Sequence, residues 1–92
     1  MQVRIRYLAQ LKHAAGVGDE RIDVGRPCTI ADVLQRLAVG HGDAFRRIVF
    51  DAHGKVQGAM LLFVGDQQVQ PDAVHAFRDG DQITVLAPMA GG

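Results

Sequence analysis

The stretch Thr-Ile-Ala-Asp-Val-Leu-Gln-Arg-Leu-Ala-Val-Gly, residues 29–40, predicts the main helix of the fold. Thr29 is a natural N-cap, and Asp32 follows three residues later, which is the spacing of a capping box. Gly40 is predicted to end the helix, because glycine takes the left-handed conformation without a steric penalty. Apolar residues recur at the spacing of one helical face, namely Ile30, Val33, Leu34 and Leu37. This stripe indicates a helix with one side buried.

Two segments of alternating hydrophobicity precede this helix. Residues 2–8 are typical of a half-buried strand, with alternate side chains pointing to a core. The core-facing positions are Val3, Ile5 and Tyr7. Residues 9–15 predict a short helix that glycines then interrupt. Residues 20–24 alternate again and predict a second strand.

Three further segments follow the main helix. Residues 43–50 predict a shorter helix, although Phe50 also suits extended backbone. The continuous apolar run 59–64 is typical of a strand that is covered on both faces or lies in the middle of a sheet. Shorter alternation predicts strands at residues 68–70 and 82–86.

The resulting order is two strands, a helix, and two or three more strands. Segregated elements of this kind predict an α+β fold, with a mixed sheet of four to five strands packed on one main helix. Two hairpins flanking one long helix is the β-grasp, or ubiquitin-like, arrangement. We expect residues 1–87 to form this domain and residues 88–92 to form a flexible Gly-Gly tail.

Composition excludes several classes of protein. The 92 residues carry 10 basic and 10 acidic side chains, so the chain lacks the strongly basic character expected for nucleic-acid binding. A single cysteine cannot form an internal disulfide. No apolar run approaches the length of a membrane span, so we expect no membrane partner and a cytoplasmic location.

Catalytic and metal-binding signatures are missing from the sequence. The four histidines are scattered and are interpreted as surface residues, and no metal site is predicted from them. The glycines around Val17 lack the spacing and the lysine of a phosphate-binding loop. Cys28 precedes the helix cap, where amide dipoles can lower a thiol pKa, but we interpret it as a structural or incidental cysteine.

The chemistry is predicted to lie at the end of the sequence. The last positions are Pro88, Met89, Ala90, Gly91 and Gly92. Proline stops the strand ladder, and the following small residues have little to pack. Glycines without Cβ atoms fit a narrow enzyme channel. A carboxylate on Gly92 could be activated as an acyl-adenylate and then attacked by sulfide or a persulfide to give a thiocarboxylate.

These segments resemble the sulfur-carrier proteins of the ubiquitin-like superfamily, in particular the small subunit of molybdopterin synthase and its relatives. The resemblance lies in residues 3–12, 29–34 and, most specifically, 79–92. It implies that Gly92 is adenylated by an E1-like enzyme, which uses ATP, and is then converted to the thiocarboxylate. It also implies a sulfur acceptor such as the large subunit of molybdopterin synthase, with the chain a carrier that binds no cofactor of its own.

Members of this family dock their partners through an exposed apolar patch on the sheet. Strand alternation places Leu8 and Leu86 on the outer face here, and the first and last strands of a β-grasp are neighbours. We therefore expect these two leucines to lie together beside the tail, with the polar Gln68 at the position of a third patch member. The alternative is that they are scattered surface leucines.

The sequence is also compatible with other functions of the terminal segment. The sulfur could serve cysteine or another sulfur metabolite instead of molybdopterin. The adenylated Gly92 could form an isopeptide bond to lysine, as in a protein modifier. A β-grasp interaction module with an idle tail is a third class, and it predicts that removal of Gly91 and Gly92 leaves function intact.

Overall fold

The computed structural model describes residues 1–87. The predictions made for Pro88, Met89, Ala90, Gly91 and Gly92 lie outside the described residues. The regular elements, in chain order, are β1 (Gln2–Leu8), α1 (Gln10–Ala15), β2 (Asp19–Asp23), β3 (Cys28–Thr29), α2 (Ile30–His41), α3 (Asp43–Val49), β4 (Leu61–Val64), β5 (Gln67–Gln68), β6 (Val74–His75) and β7 (Gln82–Leu86). The predicted elements are therefore present, and short β3 and β6 are additional.

The main sheet has five strands in the order β2-β1-β7-β4-β5. β1 and β7 are parallel, whereas the other neighbours in this sheet are antiparallel. β3 and β6 form a separate two-stranded ladder. A mixed sheet with a long helix between two hairpins confirms the predicted α+β, β-grasp architecture.

The main helix begins as the sequence predicts. The Asp32 backbone N–H donates to the Thr29 Oγ1 at 3.0 Å, and the Thr29 N–H donates back to the Asp32 carboxylate at 3.2 Å. These reciprocal bonds complete a capping box, which satisfies two donors that the first turn leaves free.

The predicted end of this helix at Gly40 was wrong. The helix continues to His41, and Gly42 caps it with φ 92° and ψ −166°, a backbone conformation that other residues rarely adopt. His41 packs against the Phe45 ring, with centroids 5.0 Å apart. Tertiary packing thus carries the helix past a weak helix former.

The core lies between the helices and one face of the main sheet. All four residues of the predicted helical stripe are buried, as are the three core-facing residues of β1. The largest fully buried side chains are Tyr7, Phe45, Ile5, Leu11, Ile30, Leu34, Leu62, Ile83, Val3, Val33, Val49 and Val85. Aliphatic side chains therefore fill most of the core. Within residues 1–87, no helix has the length and apolar character needed to cross a bilayer.

The two glycines at the end of α2 should respond oppositely to substitution by alanine. Gly40→Ala should raise the free energy of unfolding by about 0.5–1 kcal/mol, because Gly40 lies inside an exposed helical turn and a Cβ there meets nothing within 4 Å. Gly42→Ala should lower it by about 1–3 kcal/mol, because of the positive φ. Urea unfolding of both variants measures the difference, and equal effects would contradict the observed helix end.

Candidate functional site

The surroundings of Cys28 favour the neutral thiol over the reactive thiolate. Cys28 lies in β3 beside an open cleft that Arg26 and Arg36 also line. Burial, followed by the nearby Asp32 carboxylate, raises the pKa of its thiol. A thiol with a raised pKa is a poor nucleophile at neutral pH, which agrees with the interpretation of Cys28 as a structural residue. Among residues 1–87, no group of three or more potential ligands is arranged to hold a metal ion.

The interpretation of all four histidines as surface residues was wrong for two of them. His13 and His53 are exposed, but His41 and His75 are partly buried. The side chain of His41 is only 18% exposed, and its Nε2 lies against a carboxylate oxygen of Glu20. Scattered positions in the sequence gave no sign of this contact, because it depends on where α2 ends.

Glu20 of β2 contacts side chains of β1 and α2 near the end of β1 that carries Leu8. Its Oε2 accepts a hydrogen bond from the Tyr7 hydroxyl at 2.6 Å and also contacts His41 of α2. The Tyr7 ring meets the rings of His41 and Phe45 edge-on, with centroids 5.9 and 5.6 Å apart. Burial, reinforced by this bond to Glu20, raises the pKa of the Tyr7 phenol. The cluster fixes β1 immediately before Leu8.

The outer face of the main sheet carries a row of three leucines. Leu8 of β1 pairs with Leu86 of β7, and Leu86 in turn pairs with Leu61 of β4. Leu61 is 37% exposed, and the other two are partly exposed. The predicted adjacency of Leu8 and Leu86 is confirmed, and the two form a continuous apolar row with Leu61, which we call the leucine row.

A second row crosses the same face one step further along the strands. Arg6 pairs with Thr84, Thr84 with Phe63, and Phe63 with Gln68. Gln68 is exposed on the edge strand β5. The structure therefore places Gln68 next to Phe63 and not next to Leu8 or Leu86, and Leu61 occupies the third position of the leucine row.

Leu61 and Phe63 are the residues of this face that the sequence prediction missed. The run 59–64 was expected to be covered on both faces or to lie in mid-sheet, and β4 does lie between β7 and β5. Only Leu62 is fully buried, however, while Leu61 is exposed and Phe63 is partly exposed. Strand alternation within the run was the available signal, because it separates Leu62 from its two neighbours.

The last described residue, Ala87, directly follows the central leucine of the row. Ile83 and Val85 point into the core, and Ala87, two residues further on, is also buried. Leu86 between them belongs to the leucine row. Residues 88–92 follow directly in sequence, so the candidate chemical group and the exposed apolar face are joined by a short covalent connection. The role of this face in docking stays a prediction.

The strand order, the long helix and the apolar outer face together define a ubiquitin-like β-grasp protein. The chain belongs to the ThiS family, whose family model matches residues 5–92. This match confirms the resemblance inferred from residues 3–12, 29–34 and 79–92 at the level of the family of ubiquitin-like sulfur carriers.

Individual relatives share the full length of the chain at low sequence identity. The molybdopterin synthase sulfur carrier subunit of Chlamydomonas reinhardtii is 24% identical over 92 residues, which is 100% of both chains. The crystal structure of SAMP1 from Haloferax volcanii superposes with a TM-score of 0.85 at 24% identity and 100% coverage of both chains. A putative molybdopterin converting factor, subunit 1, from Pyrococcus furiosus has a TM-score of 0.73 at 23% identity, covering 97% of this chain and 99% of its own. The two structures show that the β-grasp fold is shared.

Replacement of Tyr7 by phenylalanine should lower stability in a pH-dependent way. At neutral pH the lost bond to Glu20 should cost about 1–2 kcal/mol. Because the folded pKa of Tyr7 lies above the unfolded value of about 10, the stabilisation is complete below that pH and is lost as the pH rises above it. The difference between wild type and Tyr7→Phe should therefore shrink above pH of about 10.

Urea unfolding from neutral to alkaline pH measures this difference. Tyr7 is the only tyrosine, so the ultraviolet absorbance of tyrosinate reports its ionisation without interference. A gap between the two proteins that stays constant across the alkaline range would show that the phenol is not linked to folding.

Proposed function

We propose that this chain is a sulfur carrier that bears a thiocarboxylate on Gly92 and delivers the sulfur to molybdopterin synthase. The observation that carries the proposal is the leucine row on the sheet, whose central residue Leu86 precedes Pro88 by two positions in the sequence, in a chain that belongs to the ThiS family. An exposed apolar row with a partly exposed Phe63 beside it suits a protein interface, because apolar surface gains most from being covered.

Activation is the first step of the proposed cycle. The carboxylate of Gly92 attacks the α-phosphate of ATP on an E1-like enzyme, which forms the acyl-adenylate and releases pyrophosphate. Hydrosulfide then attacks the acyl carbon and expels AMP, leaving the thiocarboxylate and a proton. The sulfur anion that results is a better nucleophile than the carboxylate oxygen, so the chain acts as a sulfur donor and the partner enzymes supply the catalytic groups.

Each part of the chain has a separate role in this scheme. The leucine row and Phe63 dock the body of the domain onto the activating enzyme and then onto the acceptor. The terminal segment reaches the nucleotide site through a channel, for which residues with small or absent side chains are suited. That segment comprises Pro88, Met89, Ala90, Gly91 and Gly92.

Molybdopterin synthase is proposed as the acceptor because the Chlamydomonas relative, aligned over its whole length, is a sulfur carrier subunit of that enzyme. In this arrangement the present chain is the small subunit of a heteromer. The large subunit supplies the pocket in which the thiocarboxylate sulfur meets its acceptor.

Intact-mass spectrometry tests the central step. The chain is incubated with ATP, sulfide and the E1-like enzyme of its host, and we expect a mass gain equal to the exchange of one oxygen for one sulfur. A variant that lacks Gly91 and Gly92 serves as the control and should show no gain. Conjugates to lysine in place of the thiocarboxylate would favour a protein modifier, and unchanged mass with an enzyme active on another carrier would refute the proposal.

Docking through the leucine row has its own test. Leu61→Glu places a charge on the most exposed member of the row and should raise the dissociation constant for the activating enzyme about tenfold or more. Val39→Glu is the matched control, because Val39 is 78% exposed on α2, on the opposite side of the sheet. Equal binding by the two variants would show that the row is not the docking surface.

A further inference from the structure

The outer face of the sheet has a basic side as well as an apolar side. Arg4 and Arg6 alternate with the buried residues of β1 and therefore share the outer face with Leu8. In the ladder to β2, Arg4 lies directly opposite Arg21, and Arg6 lies opposite Asp19. Three arginines thus lie together on the two strands beside the leucine row.

Within residues 1–87, carboxylates form an ion pair with only one of these three arginines, Arg4. Asp19 Oδ2 accepts a hydrogen bond from Arg4 Nη2 at 2.7 Å, and this bond, with Arg6 and Arg21 close by, holds the pKa of Asp19 below its usual range. Asp79 lies beside Arg4 and Arg21, but its Oδ1 accepts from a backbone N–H. Within residues 1–87, neither Arg6 nor Arg21 forms an ion pair.

The pairing of Arg4 with Arg21 is unfavourable for the isolated fold. Like charges directly opposite each other in an antiparallel ladder repel, and an acidic residue at either position would be better for stability. Asp19 and Asp23 share the outer face of β2 with Arg21, but Asp19 pairs with Arg4 and Asp23 pairs with the N-terminal ammonium. Departures from the locally favoured residue are typical of surfaces that serve a partner.

We propose that the protein that docks on the leucine row presents carboxylates to Arg6 and Arg21. This inference deepens the proposed function, on which it rests, by assigning the chemistry of the partner surface. Arg21 lies two strands across and four residues along from Leu86, the central leucine of the row, and with strands about 4.8 Å apart and a rise of about 3.3 Å per residue the separation is about 16 Å. That distance falls within an interface of ordinary size, with an apolar centre and a charged rim.

A protein is the occupant that fits both halves of this face. Nucleic acid would need a broader basic surface than three arginines in a chain with no net charge, and it has no use for the leucine row. A partner protein with acidic side chains around an apolar centre would complement the charge of the arginines and make apolar contacts with the leucines. Such rim charges chiefly speed association and select the partner.

Binding of purified variants to two probes tests the inference, namely the E1-like activating enzyme and the molybdopterin synthase large subunit of the host. Binding is measured without ATP, so that docking is separated from chemistry. Arg21→Glu and Arg6→Glu should each weaken binding to at least one probe about tenfold, mainly through a slower association rate. Wild-type binding should weaken with added salt, since exposed charges are screened beyond about 10 Å at 0.1 M.

Arg47→Glu is the matched control, because Arg47 is exposed on α3 and the same change of charge occurs on the helical side of the sheet. It should bind as wild type does. Arg21→Glu should also unfold at the same or a higher urea concentration than wild type, because the new carboxylate faces Arg4. Weaker binding with undiminished stability is a result that a purely structural role for Arg21 would not produce.

The outcomes separate this inference from the proposed function. Arginine-dependent binding without thiocarboxylate formation would refute the sulfur-carrier proposal and support the acidic partner surface. Thiocarboxylate formation with binding that is indifferent to Arg6 and Arg21 would do the reverse. Failure to bind either enzyme, or arginine-dependent binding to a duplex oligonucleotide of equal strength, would overturn the inference.

Discussion

The parallel pairing of β1 with β7 is the constraint on which the rest of the structure depends. These strands come from opposite ends of the chain, and their ladder runs from Arg4 opposite Gln82 to Leu8 opposite Leu86. Parallel strands require a crossover connection, and here the connection includes β2, the main helix and the hairpin of β4 and β5. The ladder completes the inner face that the helices cover, and on the outer face it brings the two leucines together.

The two faces of this sheet obey different rules. Inward residues such as Ile5 and Val85 are aliphatic and fully buried, as a small domain with few aromatic residues requires. Some residues on the outer face, in contrast, do not favour the stability of the isolated domain. Leu61 is exposed at a position where a polar side chain would interact better with water, and Arg21 lies opposite another arginine, Arg4. The inner face therefore explains the fold, and the outer face carries the residues to which the proposed docking is assigned.

Sequence patterns predicted those features that depend on neighbours along the chain. Alternation in β1 and the capping box at Thr29 are local, and both were predicted correctly. Of the contacts between distant segments, the pairing of Leu8 with Leu86 was predicted, and two others were missed. The helix continues past Gly40 and brings His41 against Glu20, and the register between β4 and β7 brings Leu61 into the leucine row. The contact of His41 leaves no periodic signal in the sequence, whereas strand alternation gives the outward position of Leu61 but not its partner.

The ladder between β1 and β7 also makes the leucine row dependent on folding of the whole domain. Leu8 lies in the first described strand and Leu86 in the last, and the surface they share exists only once both strands have met. A partner that binds this surface recognises the folded domain, because an unfolded chain displays the same residues apart. Binding to the paired strands β1 and β7 then distinguishes this protein from others and its folded state from its unfolded state at the same time.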